Sequence, residues 1–195
     1  ISMREMQSRT FEKRNSQYLL VKAPPASGKS RALMFVGLDK LINQGINKVI
    51  VAVPERSIGA SFKNTDLMSS GFFANWELDD RYNLTTPGVD KSKVRQFIRF
   101  MDSNEKILIC THSTLRFAFE KIEDSQFDNC LLAIDEFHHV SADVNSRLGE
   151  LLRSVIRNST CHILAMTGSY FRGDAVPILE PQDEELFDKV TYSYY

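Results

Sequence analysis

The stretch Ala23-Pro24-Pro25-Ala26-Ser27-Gly28-Lys29-Ser30 constrains this chain more than any other. It follows the apolar run Tyr18-Leu19-Leu20-Val21 and precedes a segment of helical periodicity. A strand, a tight loop and a helix in that order turn backbone N–H groups inward around an anion, with the positive end of the helix aimed at the same point. In that frame Lys29 reaches the terminal phosphates of a nucleotide, the Ser30 hydroxyl ligates Mg2+, and Gly28 admits the close approach of the backbone. Pro25, Ala26, Ser27, Gly28, Lys29, Ser30 and Arg31 are therefore the expected nucleotide contacts. Ala23 stands where such loops usually begin with glycine, and Ala26 replaces a glycine within the loop, so two methyl groups would narrow it. A flexible surface turn that contains Gly-Lys-Ser is the bland alternative, and the strand before it and helix after it argue against that reading.

Composition bounds what surrounds the loop. The 195 residues are 43% hydrophobic and 25% charged, enough apolar material for one substantial core, so a single domain over 1–195 is expected. With 24 basic against 25 acidic side chains, the overall balance gives no sign of nucleic acid, and such a partner has to be argued from a local surface. No apolar run approaches the roughly 20 residues that span a bilayer, and Ile1-Ser2-Met3-Arg4-Glu5 lacks a signal-peptide pattern, so no membrane partner and a cytoplasmic location are expected. Cys110, Cys130 and Cys161 are widely separated and lie in or beside apolar runs, as reduced core residues do, rather than as a disulfide or zinc framework. The start without Met and the strand-like finish Thr191-Tyr192-Ser193-Tyr194-Tyr195 read as the ends of a fragment.

Along the chain, strand and helix patterns alternate. Arg4 to Asn15 reads as a polar helix and Tyr18 to Val21 as a strand. Leu33, Val36, Leu38, Leu41 and Ile42 recur at helical spacing and stop at Gly45. Lys48 to Val53 is nearly continuous and β-branched, as in a strand buried on both faces, and Pro54 ends it. A short helix is expected over Arg56 to Phe62, then an irregular excursion from Asn64 to Asp90 with one strand near Tyr82 to Thr85. Phe72, Phe73 and Trp76 within it read as anchors to the core, with base stacking as the alternative. Val94, Phe97, Ile98 and Met101 mark one face of a helix whose opposite face carries Lys91, Arg95 and Arg99, a solvated surface or a phosphate track. Strands follow at Ile107 to Cys110, Cys130 to Ile134 and His162 to Met166, with helices at Thr114 to Lys121 and Val144 to Ile156. This alternation predicts an α/β fold, a three-layer parallel sheet with helices on both faces and ligands at the carboxyl ends of the strands.

Asp135-Glu136 is the second decisive element, because an acidic pair directly after an apolar strand lies at that rim. Asp135 would hold the metal and Glu136 would orient and deprotonate an attacking water. Alone, the pair suits an acidic helix N-terminus equally well. With Lys29 upstream, the metal-site reading is the stronger one. Adjacent His138 and His139 have no partner at ligand spacing, which argues against zinc. Arg172-Gly173-Asp174 reads as a turn.

Ala23 to Ser30, Val53-Pro54-Glu55-Arg56, Thr111-His112-Ser113, Asp135-Glu136-Phe137-His138 and Thr167-Gly168-Ser169 stand in the order and rough spacing of motifs I, Ia, Ib, II and III of superfamily 2 helicases. From Gln7 to Ser169 the chain resembles the first RecA-like domain of a DEAD/DEAH-type helicase, of the kind found in motor subunits of restriction enzymes. The resemblance implies a P-loop NTPase that uses ATP and Mg2+, with Lys29, Asp135 and Glu136 in catalysis and Ser30 and Asp135 on the metal. It implies that His138, Thr167 and Ser169 couple nucleotide state to movement, although Gly168 departs from the alanine usual in that motif. It further implies that Pro54, Glu55, Arg56, Thr111 and His112 contact a nucleic-acid backbone, that Gln7 reads adenine, and that DNA is favoured over RNA as the partner. A second RecA-like domain carrying an arginine finger is expected elsewhere in the full-length chain, with room for nuclease or methyltransferase domains. A P-loop ATPase or kinase that acts on no nucleic acid, and a nucleotide-sensing binding module, are the alternatives.

Overall fold

The computed structural model describes residues 3–24, 27–55, 60–135, 142–168 and 179–192. Helix α1 (Glu5–Glu12) leads into strand β1 (Tyr18–Lys22), followed by α2 (Lys29–Asn43), β2 (Lys48–Val53), α3 (Asp90–Asp102) and β3 (Ile107–Thr111). Then come α4 (His112–Phe119), β4 (Cys130–Ile134), α5 (Ala142–Asn158), β5 (His162–Thr167), the single-turn α6 (Pro181–Glu184) and β6 (Asp188–Thr191). The six strands form one sheet in the order β3-β2-β4-β5-β1-β6. Each pairing is parallel.

The period of two along a strand divides the apolar residues between two cores. Leu19, Val21, Val49, Val51, Leu131, Ala133, Leu164 and Met166 face α1 and α2, where Met6, Ala32, Leu33 and Val36 cover them. Leu20, Ile50, Ala52, Leu108, Leu132, Ile134, Ile163 and Ala165 face the opposite layer, with Phe97 and Phe100 of α3, Leu115 of α4 and Leu151 and Val155 of α5. Strands β2 and β4 are buried throughout, as both-face coverage requires. The three cysteines are free and buried. The expected three-layer α/β fold is the one observed.

The excursion after β2 differs in part from expectation. Arg56, Ser57, Ile58 and Gly59 lie outside the described residues, and residues 60–62 make a single 3-10 turn. In place of a strand near Tyr82 to Thr85 there is one bridge between Asn83 and Ile109. Asp79 caps a 3-10 turn over Asp80–Tyr82, and the Asn83 carboxamide accepts from the Thr85 hydroxyl at 2.6 Å. These side-chain bonds compete with extension of the backbone. Trp76 is fully buried, and its indole N–H donates to the Phe62 carbonyl at 2.8 Å, which makes it the anchor of this segment. Phe73 remains exposed.

At the amino ends of the strands, α2 carries a polar cluster that its apolar periodicity did not signal. The Lys40 ammonium is buried and donates to the Ser16 carbonyl at 3.0 Å, to Gln44 Oε1 at 3.2 Å and to His162 Nδ1 at 2.8 Å. Burial pushes the Lys40 amine down to about 8, against the pull of Asp39. Burial, then the neighbouring Lys40 charge, holds the His162 imidazole down at about 4 rather than its ordinary 6.5. Between those two pH values the unfolded chain binds a proton that the folded chain refuses, so stability falls as pH drops from 6.5 towards 4. Urea midpoints measured across that window are expected to decline, and His162→Gln to flatten the decline. An unaltered slope in the variant would place the acid sensitivity elsewhere.

Candidate nucleotide site

Strand β1 lies between β5 and β6, and its pairing with β5 continues past its last residue, where the Ala23 N–H donates to the Thr167 carbonyl at 3.0 Å. The phosphate loop is thereby tied at its start to the end of β5. Pro25 and Ala26 lie outside the described residues. The Ser27 hydroxyl donates to the Pro24 carbonyl at 2.6 Å and closes the loop on itself. Gly28 caps α2 with φ +89° and ψ +28°, a left-handed conformation that side chains disfavour. A second constraint acts there, since a Cβ on Gly28 would stand 2.4 Å from Gln7 Nε2.

Gln7 is buried at 4% exposure, and its amide joins α1 to the loop. Its Oε1 accepts from the Arg4 N–H at 2.9 Å, and its Nε2 donates to the Gly28 carbonyl at 3.2 Å. The side chain is thus a brace on the residue that opens α2.

Among the described residues, an open cleft of about 370 Å3 is lined by Arg4, Gly28, Lys29, Ser30, Ser61 and Asp135. Lys29 and Asp135 come from the carboxyl ends of β1 and β4, separated in the sheet by β5. Burial pushes the Lys29 amine down and Asp135 opposes that shift. Burial likewise pushes the Asp135 carboxyl up and Lys29 opposes it. The two charges therefore sense each other across a partly dry cleft. Oxygen donors from Ser30 and Asp135 beside a lysine suit Mg2+, a hard cation that takes one or two protein oxygens together with phosphate and water. Arg31 is exposed on the first turn of α2 and is not among the residues that line the cleft.

Glu136, Phe137, His138, His139 and Ser169 lie outside the described residues, as do Arg56 and Arg172-Gly173-Asp174. Thr167 is buried at the end of β5 beside the phosphate loop. Pro54 and exposed Glu55 follow β2 directly. Thr111 is the N-cap of α4, its hydroxyl accepting from the Thr114 N–H at 3.2 Å. His112 is 1% exposed, and its side chain is turned to Asp135, with its Nε2 2.8 Å from the Asp135 carbonyl oxygen. Sequence reasoning also missed Arg4 and Ser61 as cleft residues. Arg4 was legible in principle, three positions before Gln7 at a helix start. Ser61 carries no local signal, since it comes from the irregular segment after β2.

Comparison with known proteins extends the geometry. A family model described as DEAD/DEAH box helicase matches residues 4–173. The chain belongs to that family. It is 81% identical over 193 residues to a Bacillus subtilis (strain 168) protein provisionally named ATP-dependent helicase YeeB, covering 99% of this chain and 32% of that protein. The chain thus spans about a third of the length of this relative. The helicase domain of Hef from Pyrococcus furiosus aligns over 97% of this chain and 38% of its own, with TM-score 0.61 and 14% identity. The UvsW helicase of bacteriophage T4 aligns over 98% of this chain and 61% of its own, with TM-score 0.60 and 16% identity. At these identities the two structures bear on the fold, and they agree with the RecA-like sheet. The matched span, residues 4–173, contains all five motifs read from the sequence.

Gly28→Ala sets a methyl against Gln7 and strains the left-handed backbone by about 1–3 kcal/mol. The variant is expected to unfold at lower temperature and to bind Mg2+-ATP at least about tenfold more weakly. Calorimetric titration beside thermal unfolding checks both, and parental affinity would show that the brace between Gln7 and Gly28 is not the binding geometry.

Proposed function

We propose that this domain binds and hydrolyses Mg2+-ATP to drive movement of the full-length protein along nucleic acid, with DNA as the favoured track. The observation that carries the reading is the opposed pair of half-buried Lys29 and buried Asp135 in one cleft at the carboxyl rim of a parallel sheet. Lys29 holds the β- and γ-phosphates, and backbone N–H groups at the start of α2 share that anion. Ser30 and Asp135 would hold Mg2+, which supplies neutralisation of phosphate charge. Glu136 takes a proton from water as the water oxygen bonds to the γ-phosphorus and the bond to the bridging oxygen breaks, releasing ADP and phosphate. The position of Gln7 against Gly28 supports its reading of the adenine ring. Thr167, bonded through its carbonyl to the start of the loop, is the candidate relay of nucleotide state together with His138 and Ser169.

Pro54, Glu55 and Arg56, which follow β2 in sequence, and Thr111, the last residue of β3, are the candidate backbone contacts. The exposed Lys91, Arg95 and Arg99 of α3 offer a second basic stripe. A structure of the MrfA helicase, bound to DNA in that case, aligns over 96% of this chain with TM-score 0.60, in keeping with a DNA track. The greater length of the Bacillus relative supports further domains in the full-length protein, and the proposal includes a second RecA-like domain among them. An arginine supplied by that domain would raise turnover by about 10³ to 10⁵, so 1–195 alone is expected to hydrolyse ATP slowly. Among the described residues no helix is long and apolar enough to cross a membrane, in keeping with a cytoplasmic motor. The helicase family match supports this reading over the kinase and sensing-module alternatives.

The test is steady-state ATPase of the full-length protein with and without plasmid DNA, beside Lys29→Ala and Glu136→Gln. DNA is expected to stimulate the parental enzyme. Lys29→Ala is expected to lose triphosphate affinity, and Glu136→Gln to keep it while turnover falls by about 10²- to 10⁴-fold. Turnover indifferent to Lys29 would discredit the phosphate loop, and normal turnover without Glu136 would remove that residue from its role.

A further inference from the structure

Strand β4 ends at Ile134, and the Asp135 N–H still donates to the Ala52 carbonyl of β2 at 2.8 Å. The Asp135 carbonyl lies beyond the ladder, where a buried C=O needs a donor from elsewhere. His112 supplies it from the first residue of α4, reaching past the end of β2, the strand that separates β3 from β4. A carbonyl oxygen only accepts, so Nε2 carries the proton. The reach is fixed at its origin as well, because the Thr111 hydroxyl caps the first turn of α4.

The atom held is the consequential one. A peptide group is planar, so holding the Asp135 carbonyl oxygen restrains the peptide that follows Asp135. In sequence that peptide leads to Glu136, the carboxylate assigned to the attacking water. We propose that His112 is a positioning residue for ATP hydrolysis: it sets the peptide between the metal carboxylate and the water-activating carboxylate, and ties that setting to the N-terminus of α4. The inference rests on the hydrolytic reading above. It gives a physical route for nucleic acid to act on turnover, since a strand that contacts Thr111 and shifts the first turn of α4 moves His112, and with it the donor held by the Asp135 carbonyl. Glutamine can bring an amide N–H to about the same place, whereas alanine cannot.

Full-length parental protein, His112→Ala and His112→Gln are compared by ATPase with and without plasmid DNA, by calorimetric titration of Mg2+-ADP and by thermal unfolding. His112→Ala is expected to lower DNA-stimulated kcat by about 10- to 100-fold, as misplacement of a reacting group does. KM for ATP and Mg2+-ADP affinity are expected to stay within about twofold of the parental values, and His112→Gln to recover most of the loss. Parental kcat in His112→Ala would overturn the proposal. Equal losses in both variants would also overturn it, since they would show that filled volume rather than the donated hydrogen bond matters, and a melting temperature lowered alike in both would mark that structural role. Absence of Lys29-dependent turnover in the parental protein is a separate failure, that of the hydrolytic reading itself.

Discussion

Parallel pairing of β1 with β5, and of β4 with both β5 and β2, puts the carboxyl ends of four strands on one rim. Everything chemical in this domain depends on that alignment. A parallel strand must be followed by a crossover, so each chain exit at the rim is a loop rather than a hairpin, and loops at a rim can aim backbone groups and side chains at a shared ligand. Lys29 and Asp135 are more than a hundred residues apart in the chain and meet across one cleft because β1 and β4 lie on either side of β5. Two largely buried faces hold the strands in register, and the cost of desolvating the two charges is met by their mutual attraction and by the ligand charge they are built to receive.

Around the cleft, the loop and the acidic segment are held from behind by second elements. Gln7 of α1 grips the Gly28 carbonyl, the Thr167 carbonyl grips the start of the loop, and His112 of α4 grips the Asp135 carbonyl. All three contacts fall on backbone atoms of the loop or of the acidic segment. Backbone atoms hold the geometry of a phosphate site, so these braces set the site more directly than contacts between side-chain ends would. They also connect the site to α1, β5 and α4, the elements through which a change of nucleotide would be felt elsewhere.

The opposite rim has a different character. Buried Lys40 makes a polar cluster with half-buried His162, Ser16 and Gln44, and Lys48 donates to the Ser103 and Glu105 carbonyls at 2.7 Å each. These lysines satisfy backbone and side-chain acceptors where strands begin, and nothing in the apolar periodicity marked them. Nine consecutive residues of α2, Ala32 to Lys40, are buried, so this helix lacks the polar stripe that a surface helix shows.

Local order was legible in the residues themselves. The alternation of β-branched runs with helical periods, the loop from Ala23 to Ser30 and the acidic pair after Leu131-Leu132-Ala133-Ile134 are properties of neighbours in the chain, and they sufficed for the fold class, the family and the placing of Lys29 and Asp135 at one rim, where both line the cleft. Gly45, with φ +72°, ends α2 where the sequence placed its stop. What tertiary structure alone decided is which distant groups meet. His112 reads as a surface contact in the string Thr111-His112-Ser113 and is instead enclosed against Asp135, because the sheet order, with β2 between β3 and β4, is invisible in any window of sequence. Ser61 enters the cleft from a segment with no periodicity, and Arg31, next to two cleft residues, turns outward with the helical period. Adjacent residues are read through local propensity, whereas contacts between strand ends follow from the burial of two whole faces, a property of the chain taken together.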